Sequence, residues 1–131
     1  MKDRQPPMTF EQIKVFEGAF NQTIKPEATI LDEAKMLRGE VGELMDAIHT
    51  GDRQEVIGEC ADIIKFAMSI LQRLGVTPEE AVTRKIERNI HKYPMHEVER
   101  LVSEGLTHEQ ALEKLKFQWN RERDKDFYGN T

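Results

Sequence analysis

The sequence is poor in cysteine, in aromatic side chains and in long apolar runs. Its 131 residues include one cysteine, Cys60, which cannot form an internal disulfide, and its apolar helical surroundings predict a buried thiol. No segment approaches the ~18 consecutive apolar residues of a membrane-spanning helix. The first ten residues, MKDRQPPMTF, lack the apolar run of a signal peptide. We therefore expect a cytoplasmic protein that does not act at a membrane.

A surplus of positive charge is also missing, because the formal net charge is −5. This balance argues against nucleic acid as a partner. The charge is nevertheless unevenly placed. Residues 27–62 hold ten acidic side chains against three basic ones, whereas residues 84–92 hold four basic side chains against one acidic one. The two stretches are the first candidates for function.

Apolar periodicity and capping signals predict an all-α fold with six helices. The predicted segments, caps included, are residues 9–24, about 29–49, 52–74, 77–92, 95–104 and 107–119. We expect a single domain over residues 1–131. Its core, residues 9–94, would be an antiparallel bundle of four helices that span residues about 9–92. Residues 95–131 would form a helical C-terminal extension. The third helix has the widest apolar stripe, so we expect it to be the most buried.

Four carboxylates are arranged symmetrically about the turn between the second and third predicted helices. Glu43 and Glu40 lie eight and eleven residues before Gly51, and Glu59 and Asp62 lie eight and eleven residues after it. In an antiparallel hairpin, this spacing places Glu43 level with Glu59 and Glu40 level with Asp62. The spacing of three residues also puts both acids of each helix on one side.

Four acids along one groove repel one another unless cations lie among them. Oxygen ligands without paired histidines or clustered cysteines favour Mg²⁺, with Mn²⁺ as a substitute, over zinc. The alternative is a solvated acidic face, which is the usual role of a single E-x-x-E pair. From spacing alone both interpretations stay open.

The basic stretch TRKIERNIHKYP, residues 83–94, places Lys85, Asn89 and Lys92 on one helix face. Ammonium and amide groups beside an acidic groove would suit a phosphorylated ligand. A solvated basic face that pairs with acids elsewhere is the alternative.

Together, the stretches GEVGELMDAI, ECADIIKFAMSILQRLGV and TRKIERNIHKYP resemble the MazG-like superfamily of all-α nucleoside triphosphate pyrophosphohydrolases. The superfamily also includes dimeric dUTPases and phosphoribosyl-ATP pyrophosphohydrolase. Its E-x-x-E and E-x-x-D motifs are matched by the four acids, and the third motif, K-x-x-x-N-x-x-x-Y-P, is matched by Lys85, Asn89, Tyr93 and Pro94. The resemblance covers about residues 30–94 and is strongest to the small stand-alone MazG-like and dCTP pyrophosphatase branch.

The resemblance implies hydrolysis of a (deoxy)nucleoside triphosphate to the monophosphate and pyrophosphate, with Mg²⁺ held by Glu40, Glu43, Glu59 and Asp62. It further implies that Glu40 or Glu43 orients or deprotonates the attacking water. Substrate contacts would come from four residues of the third motif region: Lys85, Asn89, Lys92 and Tyr93. The branch often has tryptophan in the base pocket. Phenylalanine replaces it here, so Phe16 and Phe20 are the candidates, with core packing as the alternative for each.

The resemblance also implies a homodimer or homotetramer, and a wide apolar stripe on a small helical chain supports the same expectation. Two other functions compete. A di-iron carboxylate bundle would need Glu-x-x-His pairs, which the chain lacks. A non-catalytic dimerisation or regulatory module, or an inactive member of the superfamily, would carry the same acids merely solvated.

Overall fold

The computed structural model describes residues 6–119, and within them every regular element is an α-helix. This confirms the all-α prediction. The helices are α1 (Phe10–Ile24), α2 (Ile30–Thr50), α3 (Arg53–Arg73), α4 (Pro78–Lys92), α5 (Met95–Ser103) and α6 (His108–Gln118). Residues 120–131, which the sequence predicts to be frayed or dependent on a partner, lie outside the described residues.

Three helices begin at a threonine that forms a capping box with the third helical residue. Thr9 pairs with Gln12, Thr29 with Asp32, and Thr107 with Gln110. In the second box, the backbone N–H of Thr29 donates to Asp32 Oδ2 at 2.9 Å. This hydrogen bond favours the ionised carboxylate and lowers the pKa of Asp32. The boxes satisfy backbone donors that the helix itself leaves unpaired.

The turn between α2 and α3 depends on one glycine and one aspartate. Gly51 ends α2 in the left-handed conformation, with φ of 77°, where a residue with a Cβ would be strained. Asp52 then caps α3, because its Oδ1 accepts hydrogen bonds from the backbone N–H groups of Gln54 and Glu55 at 3.0 and 3.2 Å. The turn is therefore tight, and α3 runs back along α2.

The contacts divide the described chain after Pro78 into two compact units. In the first unit, α3 packs against both α2 and α1. An ion pair of 3.2 Å between Lys65 Nζ and Glu17 Oε1 joins α3 to α1. The expectation of a single domain, with α4 as the fourth helix of the core bundle, stays a prediction.

The register of the α2–α3 hairpin is visible in a hydrogen bond at its far end. Ser69 Oγ donates to Glu33 Oε1 at 2.6 Å. Glu33 lies eighteen residues before Gly51 and Ser69 lies eighteen residues after it. Residues equidistant from the turn therefore face one another, as the sequence analysis expects.

The apolar stripe of α3 is only partly covered within one chain. Met68 is its one buried residue, whereas Ile57 and Ile64 are 48% and 53% exposed. Cys60 is exposed as well, so the prediction of a buried thiol is wrong for the single chain. The reason is that the stripe is wider than the surface that α1 and α2 can cover.

The second unit has a small core between α5 and α6. Leu101, Ala111 and Leu115 are buried in it, and Tyr93, Val98, Val102 and Leu106 pack around them. The α5 surface carries Arg100, whose guanidinium contacts both Glu97 and Glu104 at 2.8 Å. No helix among residues 6–119 has the length and apolar character needed to cross a membrane.

Candidate active site

Three carboxylates meet where α2 and α3 lie side by side. One oxygen from each of Glu40, Glu43 and Glu59 lies within 4.8 Å of the others. Glu40 and Glu43 are one helical turn apart on α2, and Glu59 reaches them from α3. Glu40 and Glu59 are half-buried, and Glu43 is exposed. The hairpin thus gathers three of the four acids that the sequence singles out.

The crowding of these acids is visible in their proton affinities. The pKa of Glu40 is raised, first by a shared hydrogen bond with Glu59 and then by burial. The pKa of Glu43 is raised by a hydrogen bond with Glu40 and by the negative charge of Glu40. Neighbouring carboxylates therefore favour the protonated forms of Glu40 and Glu43, which is the sign of a site short of positive charge.

Two oxygens of the cluster are buried without a hydrogen-bond donor. They are Glu40 Oε2 and Glu59 Oε2. A buried carboxylate oxygen without a partner is costly, and a divalent cation would provide the missing charge and ligand bond. The donor set is oxygen only, as Mg²⁺ and Mn²⁺ prefer. The residues present therefore fit such an ion.

Asp62 lies apart from this group of three. Its Oδ1 is 3.8 Å from Lys65 Nζ, one turn further along α3, and the same ammonium group pairs with Glu17 on α1. Its charge still contributes to the raised pKa values of Glu40 and Glu43. Glu40 is thus level with Asp62 in the hairpin, but its carboxylate joins the cluster with Glu59 instead. A role for Asp62 as a metal ligand stays a prediction.

The two candidate base-pocket residues line different surfaces. Phe16 is 61% exposed and borders an open groove along the start of α1. Phe20 is 50% exposed and lines a cavity of about 170 Å³ between α1 and α3. Phe66, Asp62 and Lys65 line the same cavity. Of the two phenylalanines, Phe20 is therefore the one that shares a cavity with a predicted metal ligand.

The four candidate substrate residues lie on and just after α4, in the second unit. Lys85 and Asn89 are exposed, and Lys92 and Tyr93 are half-buried. The ring of Tyr93 packs against the α5–α6 core, and Lys92 Nζ lies 5.4 Å from its centroid. Tyr93 thus has a packing role, and substrate contacts by all four residues stay a prediction.

Two charged residues that the sequence analysis passed over stand out in the first unit. Glu33 is fully buried, and Lys65 pairs with acids on two helices. Glu33 had a signal, because its spacing from Ile30 and Leu37 puts a carboxylate inside the apolar stripe of α2. The signal for Lys65 was weaker. Lys65 follows Asp62 by three residues, but the same spacing is common among ion pairs on solvent-exposed helix surfaces.

The raised pKa values predict an unusual pH dependence of stability. A carboxyl group whose pKa is higher in the folded state binds protons more readily there, so the free energy of unfolding falls as pH rises through that range. In EDTA, Glu43→Gln is therefore expected to melt at a higher temperature than the unchanged chain at pH 7, and the difference should disappear towards pH 4.

Melting curves of both proteins between pH 4 and pH 8 measure this difference. Asp32 and Glu97 have lowered pKa values and contribute the opposite slope, but they do so equally in both proteins. Glu55→Gln, which removes a charge one turn before Glu59, is the matched control. Parallel curves for Glu43→Gln and the unchanged chain would show that the acids do not repel one another.

Comparison with known proteins gives one family. A protein-family model described as phosphoribosyl-ATP pyrophosphohydrolase matches residues 13–90, which is more than half of the chain. Neither the curated proteins nor the solved structures contain a match. The matched segment covers most of α1, all of α2 and α3 and most of α4, and it includes all four motif acids.

Proposed function

The chain belongs to the phosphoribosyl-ATP pyrophosphohydrolase family, a branch of the MazG-like all-α superfamily, and from this membership we propose metal-dependent hydrolysis of a nucleotide triphosphate. The family is one of pyrophosphohydrolases. The products would be the nucleoside monophosphate, or its phosphoribosyl derivative, and pyrophosphate. The match lies in another branch of the superfamily than the dCTP pyrophosphatase branch that the motifs resemble most.

One observation carries the proposal, namely the cluster of Glu40, Glu43 and Glu59 with two buried oxygens that lack donors. Acids on a solvated face would turn outwards into water and separate, because this relieves their mutual repulsion. Here they converge, and the pKa values of Glu40 and Glu43 rise as a result. This arrangement supports a site for Mg²⁺, with Mn²⁺ as a substitute.

A bound divalent cation would neutralise phosphate charge and lower the pKa of the attacking water. Glu40 and Glu59, the half-buried acids, would hold the ion, with Asp62 joining them once its pairing with Lys65 is released. Glu43 is the most exposed of the three and would orient the water and accept its proton. The water oxygen bonds to the α-phosphorus, and the bond from that phosphorus to the bridging oxygen of pyrophosphate breaks.

The substrate contacts are proposed from the chemistry of the side chains. Lys85 and Lys92 would offer positive charge to the phosphates, and Asn89 an amide to phosphate or sugar. Tyr93 would contribute a hydroxyl group from its packed position. The cavity beside Phe20 and Phe66 offers aromatic surface for a base close to Asp62.

A pyrophosphate-release assay tests the proposal. The panel comprises the eight common ribo- and deoxyribonucleoside triphosphates and phosphoribosyl-ATP, each with Mg²⁺, with Mn²⁺ and with EDTA. We expect release from at least one triphosphate with metal and none with EDTA. Metal at about a hundred times its Kd should also raise the free energy of unfolding by about 2.7 kcal/mol. Absence of both effects would leave a non-catalytic helical module.

We also propose that the protein works as a homodimer or homotetramer in the cytoplasm. Among the described residues only five apolar side chains are buried, which is little for an independent fold. Leu31, Met45 and Ile48 of α2 are 58–63% exposed. Sedimentation equilibrium would measure the mass directly, and a monomer at micromolar concentration would contradict the assembly.

A further inference from the structure

Glu33 is a charged residue held inside the first unit. Its side chain is 0% exposed, and its two oxygens face different groups of α3. Ser69 Oγ donates to Oε1 at 2.6 Å, and Arg73 Nε lies 2.9 Å from Oε2. The Arg73 contact is an ion pair rather than an aligned hydrogen bond, since Oε2 receives no hydrogen bond. Lys25, just after α1, places its Nζ 4.0 Å from Oε1.

A buried carboxylate is sensitive to small displacements. Its burial is unfavourable unless its partners stay within bonding distance. Ser69 and Arg73 lie one turn apart on α3 and contact different oxygens, so together they define one position of α2 along α3. A slide of one residue would move α2 by about 1.5 Å, which would lengthen and misalign the 2.6 Å hydrogen bond.

Glu33 and the acid cluster lie on the same side of the hairpin. Glu40 follows Glu33 by seven residues, which is two helical turns, and Ser69 follows Asp62 by the same number. Because helices are stiff, a shift of α2 at Glu33 is carried to Glu40 and Glu43. The oxygens of the three clustered acids lie within 4.8 Å of one another. A shift of about 1.5 Å would move Glu40 and Glu43 together relative to Glu59, and so would change the two separations that cross from α2 to α3.

We propose that Glu33 is a positioning residue, which fixes the register of α2 on α3 and thereby the spacing of the clustered carboxylates. The consequence for metal binding rests on the function proposed above, whereas the consequence for the register does not. The polar partners of Glu33 are Ser69, Arg73 and Lys25, and none of these is a predicted metal ligand or substrate residue. Its influence passes through Ser69, Arg73 and the two helices.

Two variants weaken the contact to different degrees. Glu33→Gln keeps the size of the side chain and removes its charge, and Ser69→Ala removes one donor from a half-buried position. Glu27→Gln is the matched control, because it removes one charge from an exposed residue just before α2. Ser69→Ala is the milder change, so the register can still be measured in this variant if Glu33→Gln does not fold.

The register is measured with spin labels on the native, exposed Cys60 and on one introduced cysteine. Gly39→Cys and Asp46→Cys, made separately, place the second label on either side of residue 42, which is level with Cys60. Labelled protein is diluted with unlabelled protein, and the interspin distances are read from dipolar broadening. In the Glu33 and Ser69 variants, one of the two interspin distances, from residue 39 or residue 46 to Cys60, should shorten and the other should lengthen. Both distances should be unchanged in Glu27→Gln.

Metal affinity is measured in the same variants, without labels, from the spectrum of free Mn²⁺. We expect about tenfold weaker binding in Glu33→Gln. Unchanged distances and unchanged affinity, with a lower melting temperature alone, would overturn the proposal and leave Glu33 as a stability residue. If the unchanged chain binds no Mn²⁺, the metal site of the proposed function fails, and the two distances alone then support or overturn the role of Glu33.

Discussion

Replacing Glu59 with glutamine is expected to reduce pyrophosphate release by about a hundredfold or more, since even residues that only orient metal ligands contribute 10- to 100-fold. Glutamine keeps the shape of the side chain but loses the charge that attracts a cation. Glu59 is the member of the cluster supplied by α3, and its Oε2 is buried without a donor. Its removal leaves Glu40 and Glu43, both on α2, as the remaining members of the three-acid cluster.

The fold should survive this substitution. Loss of one negative charge relieves the repulsion that raises the pKa of Glu40, so in EDTA the variant should melt no lower than the unchanged chain. The gain in melting temperature on addition of Mg²⁺ should be lost together with activity. Glu55→Gln, one turn away on the same helix, should keep both. An active Glu59→Gln protein would show that the carboxylates are not the metal site.

Replacing Leu101 with alanine is expected to lower the free energy of unfolding of the second unit by about 3 kcal/mol. Leu101 is 1% exposed and packs with Ala111 and Leu115 between α5 and α6. The cost has two parts, the lost burial of the removed methyl groups and the cavity that they leave. Such a small core has few other contacts that could relax to fill it.

Urea unfolding followed by circular dichroism measures this loss. Leu112→Ala is the matched control on α6, because Leu112 is 41% exposed and its truncation leaves no enclosed cavity. It should cost less than about 1 kcal/mol. Equal losses for the two variants would contradict a core centred on Leu101.

The helices were predictable because their signals are local. Thr9 and Thr107, each followed three residues later by glutamine, predict the starts of α1 and α6, and both capping boxes are present. Gly51, Gly75 and Gly105 follow helices at positions with positive φ. Each of these signals acts within one or two helical turns, so neighbouring residues suffice to establish it.

The partners of individual side chains were less predictable. Equal spacing about Gly51 implied that Glu40 would face Asp62, but Glu40 contacts Glu59 and Asp62 pairs with Lys65. Side chains of this length reach diagonally to the neighbouring turn, so the level of a residue does not determine its partner. The exposure of Cys60 was missed for a related reason, since a stripe shows which side is apolar but not how much of it a neighbouring helix covers.

The sequence by itself determined the helices, the turn at Gly51 and the register that brings the acids of α2 close to those of α3, because each follows from spacing along one chain. Only the tertiary structure decided which three acids share a cluster, which oxygens lack donors and that Glu33 is buried against Ser69 and Arg73. These features depend on how far each side chain reaches across the gap between helices and on which side-chain atoms the packing shields from solvent. Spacing along the chain contains neither quantity.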